Sequence, residues 1–349
     1  MNPWLWLGIA SVVSALAVGL CRTAARRFSF LDRPGVEAHK QQTNAVPYGG
    51  GIGIAAAFSA CVGAAWLLTA GEDRRQELQE HGIAALVAVF GGALLFVLGL
   101  WDDLRHLRAL PKMIIQAAVC AAAVWLGDLG IDSLAGFPGL AFIVAWAWLL
   151  LVTNVYNLLD HADGLAASVA LVSAGVLLYG SAASDDGMGA VLWASLIGSL
   201  AGFLVWNLPP ARIYMGDSGS LPLGFLIGVG TLSVTFWPSG EGGTPLAILS
   251  PVLITAIPLF DTAVVVWKRM RRGASPFIGD RNHISHRLRR LGMGPLTSLA
   301  TVVALQIALA AGTLQLRTQD WLTASVVLAQ AAAVLLAVVL LETSRDGSP

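Results

Sequence analysis

The fold class this sequence predicts is an all-α, polytopic integral membrane protein. Three observations predict it. Of 349 residues, 56% are hydrophobic and only 12% charged, against about 25% charged in an ordinary soluble domain. Mean hydropathy is +0.72. The apolar residues are also gathered into runs close to the roughly 20 residues that a helix needs to cross a bilayer. A water-soluble chain of this length would need far more charge to cover its surface.

Eleven runs qualify: Pro3–Cys21, Gly50–Ala70, Gly82–Leu100, Pro111–Gly127, Pro138–Thr153, Gly164–Ala182, Gly189–Asn207, Gly219–Trp237, Pro245–Trp267, Pro295–Leu316 and Asp320–Leu341. Many open on Gly or Pro, as helix starts and loop turns do. The first has neither a basic n-region nor a small-residue cleavage site, so it reads as a retained span rather than a signal peptide. The fourth and fifth are short. With no repeat and no separate soluble stretch, residues 1–349 read as one membrane-embedded domain. Cys21, Cys61 and Cys120 lie in apolar runs without paired spacing, which points to neither disulfide nor zinc. A formal net charge of zero excludes a generally basic nucleic-acid binder.

The loops assign an orientation. Of the 21 Lys and Arg residues, all but Arg74, Arg75 and Arg317 fall in odd-numbered loops or at the C-terminus. The positive-inside bias then puts the N-terminus outside and the C-terminus in the cytoplasm, as an odd number of spans requires. Loops 22–49, 101–111, 154–164, 208–218 and 268–294 share the cytoplasmic face, and they hold nearly all the unusual polar residues.

The most informative stretch is Asn154 to Leu165, NVYNLLDHADGL, between two apolar runs. Asn154, Asn157, Asp160 and Asp163 recur every third residue, so on a helix neighbours stay near one face. Interhelical hydrogen bonding alone could explain two amides. Two added acids point instead to a divalent cation and a phosphate-bearing substrate, and Gly164 leaves the backbone open to close approach. Asp102 and Asp103 end the third span, where the helix dipole disfavours negative charge unless a cation such as Lys112, an Arg or a metal is near. Asp217, in YMGDSGS, reads equally as an ordinary N-cap or as the acid of a compact anion or metal turn with free backbone N–H groups. The ninth loop holds eight cations with His283 and His286 in RNHISHR. Topology explains part of that excess; the histidines, with Arg281 and Arg287 beside them, suit a pyrophosphate. Asp261, inside the ninth span, is either functional or paired with a buried cation. The Tyr48-Gly49-Gly50-Gly51 turn either packs tightly or admits a lipid.

Taken in order, these stretches resemble the polyprenyl-phosphate N-acetylhexosamine-1-phosphate transferases, the MraY/WecA superfamily of glycosyltransferase family 4. GLWDDLRHLRALPK matches its paired-Asp motif with a downstream Lys, NVYNLLDHADGL its Asn-x-x-Asn, Asp, Asp-Gly-Leu motif, and YMGDSGSLPLG its Met-Gly-Asp-x-Gly-Ser motif. The resemblance runs from Asp32 through the histidine loop, and eleven spans look more like the WecA branch. It implies a sugar-1-phosphate transferase of the bacterial cytoplasmic membrane, which moves GlcNAc-1-phosphate from a UDP-sugar to undecaprenyl phosphate and releases UMP. The lipid-linked product starts a cell-envelope polysaccharide. It implies Mg²⁺, with Mn²⁺ as a substitute, and a homodimer. Asp217 and Asn157 would be the metal ligands. Asp102 would be the candidate base, with Asp103 beside it and Asp160 also in the catalytic group. Asp163, Asn154, Gly164, Lys112, His283, His286, Arg281 and Arg287 would contact the substrates. Three positions depart from the pattern. His161-Ala162 stands where a Gly is usual between the acids, Ser285 stands where a third His is usual, and Glu37-Ala38 replaces Arg-Lys.

Two mechanisms remain open: direct attack by the lipid phosphate on the donor's β-phosphorus, and a covalent phosphosugar on Asp102 or Asp103. Three other classes compete. A secondary transporter predicts mid-span acids, and only Asp261 qualifies. A transferase using CDP-activated alcohols lacks its spaced acid pattern here. An inactive scaffold is at odds with the retained acids.

Overall fold

The computed structural model describes residues 2–28, 30–32, 45–69, 83–129, 136–233, 245–273, 283–316 and 320–346. Glu37 and Arg281 lie outside the described residues. Helices dominate: α1 (Pro3–Arg27), α2 (Gly50–Leu68), α3 (Ile83–Arg105), α4 (Ala109–Leu126), α5 (Pro138–Leu159), α6 (Leu165–Ala183), α7 (Gly187–Asn207), α8 (Asp217–Ser233), α9 (Ser250–Ile254), α10 (Ala256–Arg271), α11 (Ile284–Arg290), α12 (Pro295–Leu316) and α13 (Trp321–Asp346). Among the described residues the strand structure is one two-residue antiparallel pair, β1 (Leu31–Asp32) and β2 (Val46–Pro47), with Leu31 opposite Pro47.

Among the described residues, ten of the eleven apolar runs fall on single helices and the ninth does not. Among the described residues, nine helices (α1 to α7, α12 and α13) are long and apolar enough to cross a membrane. The protein is thus an all-α polytopic membrane protein. Helices α7 and α8 form its interior, with small residues letting neighbours approach. At Gly51 a Cβ would lie 2.3 Å from the backbone nitrogen of Gly219. The amides of Gly50 and Gly51 donate to the Tyr214 and Met215 carbonyls, so the glycine turn serves packing. Outward faces remain apolar, with Trp4, Leu16 and Leu20 on α1 and Trp321, Leu322 and Leu340 on α13 exposed. Lipid is the medium that tolerates such faces.

The structure corrects the ninth run, expected as one continuous span. It is bent by 75° between Leu246–Ile254 and Ala256–Arg271. The cause is Pro258, which has no N–H to give the carbonyl four residues back. That carbonyl, of Ile254, instead accepts from Gln306 Nε2 (2.6 Å) and Ser173 Oγ (2.7 Å), while Ile257 N donates to Gln306 Oε1 (3.1 Å). One buried carboxamide therefore satisfies both sides of the break. Gln306→Leu should destabilise the fold by about 1–3 kcal/mol, the penalty for an orphaned buried polar group. Thermal unfolding in detergent measures this; an unchanged midpoint would remove Gln306 from the account of the bend.

Helices α3 and α5 also run on past the expected span ends, Leu100 and Thr153, to Arg105 and Leu159. Asp102, Asp103, Asn154 and Asn157 therefore sit on final helical turns rather than in loops. Rigid helix ends, not loop tips, carry the candidate acids.

Candidate active site

Four helix ends converge: the C-termini of α3 and α5 and the N-termini of α4 and α8. Lys112, in the first turn of α4, lies at the centre. Its ammonium pairs with Asp102 Oδ2 at 2.8 Å and also with Asp217 Oδ2. Asp102 Oδ1 accepts from Leu107 N at 2.6 Å, which fixes the turn after α3. Lys112 is thus the cation that an acidic pair at a helix C-terminus needs.

Asp217 Oδ1 accepts from Asn157 Nδ2 at 2.8 Å, and the same amide nitrogen donates to Ser220 Oγ at 2.8 Å. The two residues implied as metal ligands are therefore in contact, brought together from α5 and α8. Asp103 plays a different part. Its two oxygens accept from Asp217 N (2.8 Å) and Ser218 N (3.0 Å), so it caps α8 from the neighbouring helix. The expected free N–H groups of that turn are consequently occupied by Asp103. Gly216 is required here: its φ is +73°, and a Cβ would stand 2.7 Å from an Asp103 oxygen.

Asp160 follows α5 directly, and its own N–H donates to the Asn157 carbonyl at 3.3 Å. Desolvation, followed by the charges of Asp217, Asp103 and Asp163, pushes its carboxyl well above the usual range. Asp160 thus faces a cluster rich in carboxylates. Asp163 Oδ2 accepts from Ala211 N at 2.9 Å, tying the loop before α8 to the start of α6.

Several expected substrate contacts are already engaged within the protein. Asn154 Nδ2 donates to Gln116 Oε1 and to the Leu150 carbonyl, both at 2.8 Å; the amide joins α4 to α5. Gly164 has a φ of +72°, as expected of a glycine turn. Its N–H, however, donates to Asn207 Oδ1 at 2.9 Å, and Asn207 Nδ2 donates to the Ile213 carbonyl. The group approaching this glycine is a carboxamide of the chain itself. Arg287 is buried, with its guanidinium 3.4 Å from Asp261 Oδ1 and over the Phe260 ring. Burial against Asp261 turns it away from open solvent.

The histidine loop forms a second cluster. His283 Nδ1 meets Asp261 Oδ2 at 2.8 Å, and Ile284 N donates to Asp261 Oδ1 at 2.6 Å. Of the two readings open for Asp261, the buried Arg287 guanidinium supplies the cationic partner that the pairing reading requires. The ring of His161 stacks on His283, with centroids 4.0 Å apart, and lies 5.6 Å from His286. Sequence reasoning missed Asn207 and Gln306. An isolated amide in an apolar run was the available signal, and it identifies no partner.

The family model described as "Glycosyl transferase family 4" matches residues 85–235, which hold both acid-bearing helix ends, Lys112 and the start of α8. Among relatives, one of Bacillus subtilis (strain 168) is named "Probable undecaprenyl-phosphate N-acetylglucosaminyl 1-phosphate transferase". It is 30% identical over 308 residues, covering 84% of this chain and 80% of its own. The "Decaprenyl-phosphate N-acetylglucosaminephosphotransferase" of Mycolicibacterium smegmatis is 28% identical, covering 81% and 74%. The "Undecaprenyl-phosphate alpha-N-acetylglucosaminyl 1-phosphate transferase" of Escherichia coli (strain K12) is 27% identical, covering 85% and 78%. Similarity of this extent, over the helices that build the carboxylate cluster, places the chain in glycosyl transferase family 4, among the polyprenyl-phosphate N-acetylhexosamine-1-phosphate transferases.

Proposed function

We propose that this protein transfers N-acetylglucosamine-1-phosphate from a UDP-sugar to undecaprenyl phosphate on the cytoplasmic face of a bacterial inner membrane. The observation that carries this reading is the contact set joining Lys112, Asp102, Asp217 and Asn157 across four helix ends. A lipid-phosphate oxygen forms a bond to the donor's β-phosphorus. The bond from that phosphorus to the bridging oxygen breaks, and UMP leaves with the electron pair.

Phosphoryl transfer needs positioned charge more than covalent chemistry. Lys112 supplies a fixed ammonium for phosphate oxygens. The named functions of the relatives and the charge bias of the loops support the assignment of substrate and face. Both oxygens of Asp102 and both of Asp103 already hold donors, which favours direct attack over a covalent aspartyl intermediate. A dianionic lipid phosphate needs no obligatory base, because the second pKa of a phosphate monoester is near about 6. Asp102 then serves to hold Lys112 and the turn at Leu107.

The donor set fits Mg²⁺, with Mn²⁺ as a substitute. Hard carboxylate oxygens of Asp102 and Asp217 crowd one ammonium. Asp217, with Asn157 presenting its amide oxygen, would hold the ion. When bound, the ion neutralises phosphate oxygens.

The test is UMP release by the purified protein with undecaprenyl phosphate and a panel of UDP-sugars. Release should require lipid and one donor, stop on chelation, and return with Mg²⁺. Labelled sugar-phosphate on the protein without lipid would sink direct attack. Release that survives exhaustive chelation would sink the metal assignment.

A further inference from the structure

Two of the positions that depart from the family pattern, His161 and Ser285, are far apart in sequence and touch in space. His161 Nε2 lies 2.8 Å from Ser285 Oγ. His161 Nδ1 lies 3.0 Å from the Leu158 carbonyl. A carbonyl only accepts, so Nδ1 carries the proton. Desolvation, with His283 adding to it, pushes this imidazole down to about 3, so the ring is neutral. Nε2 then accepts the Ser285 hydroxyl. The hydrogen bonds of His161 are thereby assigned, and its ring face is left to stack on His283.

The stack extends the buried pair behind it. Asp261 on α10 holds His283 and the first turn of α11, His283 stacks on His161, and His161 holds Ser285. This chain joins α10 and α11 to the α5–α6 turn. One residue earlier in that turn, Asp160 faces Asp217, Asp103 and Asp163. The Asp160-His161 peptide therefore spans the seam between the carboxylate cluster and the histidine cluster. A donor diphosphate bridging the two clusters would be read by their spacing.

His161, Asp261 and His283 lie close enough together to resemble a metal site. Two features argue against one. Both ring nitrogens of His161 are already engaged, with the Leu158 carbonyl and the Ser285 hydroxyl. The Asp261 carboxylate is also already held by His283 and by the Arg287 guanidinium.

We propose that His161 is a positioning residue for the sugar-nucleotide donor. In this view His161 supplies, from the α5–α6 turn, the imidazole that the loop lacks at Ser285, and the two act as one interlocked unit that fixes the His283 ring against the turn carrying Asp160. The inference rests on the transferase reading above.

A double-mutant cycle tests it on the full-length protein in detergent, with UMP release as the assay. His161→Gly and Ser285→His should each lower kcat/KM for the donor by about 10-fold or more, the usual range for residues that orient a binding group. The combined variant, with an imidazole restored from the loop side, should recover most of that loss. The change should fall on the donor's KM as well as kcat, with the KM for undecaprenyl phosphate unmoved. A merely structural role would lower active protein and leave both KM values alone. If His161→Gly fails to fold, His161→Asn with Ser285→Ala closes the same cycle; there each single change should cost about as much as both together. Independent, multiplying effects in a folded protein would overturn the proposal. A wild-type protein that releases no UMP from any donor would overturn the transferase reading itself, a distinguishable failure.

Discussion

Asp217→Asn should lower UMP release by about 10²- to 10³-fold, the scale for losing one preorganised electrostatic group at a transferring centre. Asp217 touches Lys112 with one oxygen and Asn157 with the other. Asparagine keeps the shape and one acceptor but removes the charge that both the ammonium and a divalent cation require. Stability should change little, by about 0.3–1 kcal/mol, because an acid at a helix N-terminus contributes that much through the dipole. A Mg²⁺ titration of turnover separates the explanations. The variant should need markedly more metal for half-maximal rate. Turnover within a few-fold of wild type at the same metal concentration would remove Asp217 from the cation site.

Asp103→Ala should give the second large effect, and of a different kind. The carboxylate binds the N–H groups of Asp217 and Ser218 and fixes the crossing of α3 and α8. At Gly99 of α3 a Cβ would lie 2.2 Å from the Asp217 carbonyl, so the two backbones already run in close contact. Losing the cap leaves two donors at a partly buried helix start, at about 1–3 kcal/mol for each that finds no water. Turnover should fall by about 10²-fold, since a shift near 1 Å in a positioned group has that effect. Asp103→Asn discriminates a positioning role from a chemical one. Its amide keeps one acceptor and sets a donor against the other N–H, so both stability and rate should fall by less than in the alanine variant. If asparagine and alanine are equally inactive while both unfold at the wild-type temperature, Asp103 acts through its charge on the reaction and not as a cap.

The contrast between these two acids shows how far the motifs could be read. The spacing of Asn154, Asn157, Asp160 and Asp163 marked a polar row at a helix end, and the structure extends α5 through its first two members. Yet the four do four things. Asn157 meets Asp217, Asp160 faces the charges of Asp217, Asp103 and Asp163, Asp163 ties down the loop at Ala211, and Asn154 bonds Gln116 on the next helix. A three-residue period says which residues neighbour one another on their own helix. It says nothing of what the adjoining helix presents. Asp102 and Asp103 make the same point more sharply: adjacent positions on a helix diverge by roughly 100°, so one reaches Lys112 and the other reaches α8.

The sequence by itself determined the class of protein, the placement of its helices and the choice of four chemically eventful stretches. These follow from local quantities: run length against bilayer thickness, charge density in loops, and residue types that are costly in an apolar setting. Only the tertiary structure decided which polar group meets which. It showed that Pro258 bends the ninth run and that Gln306, nearly fifty residues on, satisfies the break. It also paired His161 with Ser285 across 124 positions. The physical reason is common to all three. A buried polar group must find a partner, but the chain does not specify locally which distant element will carry it. That choice belongs to the packing of the whole bundle.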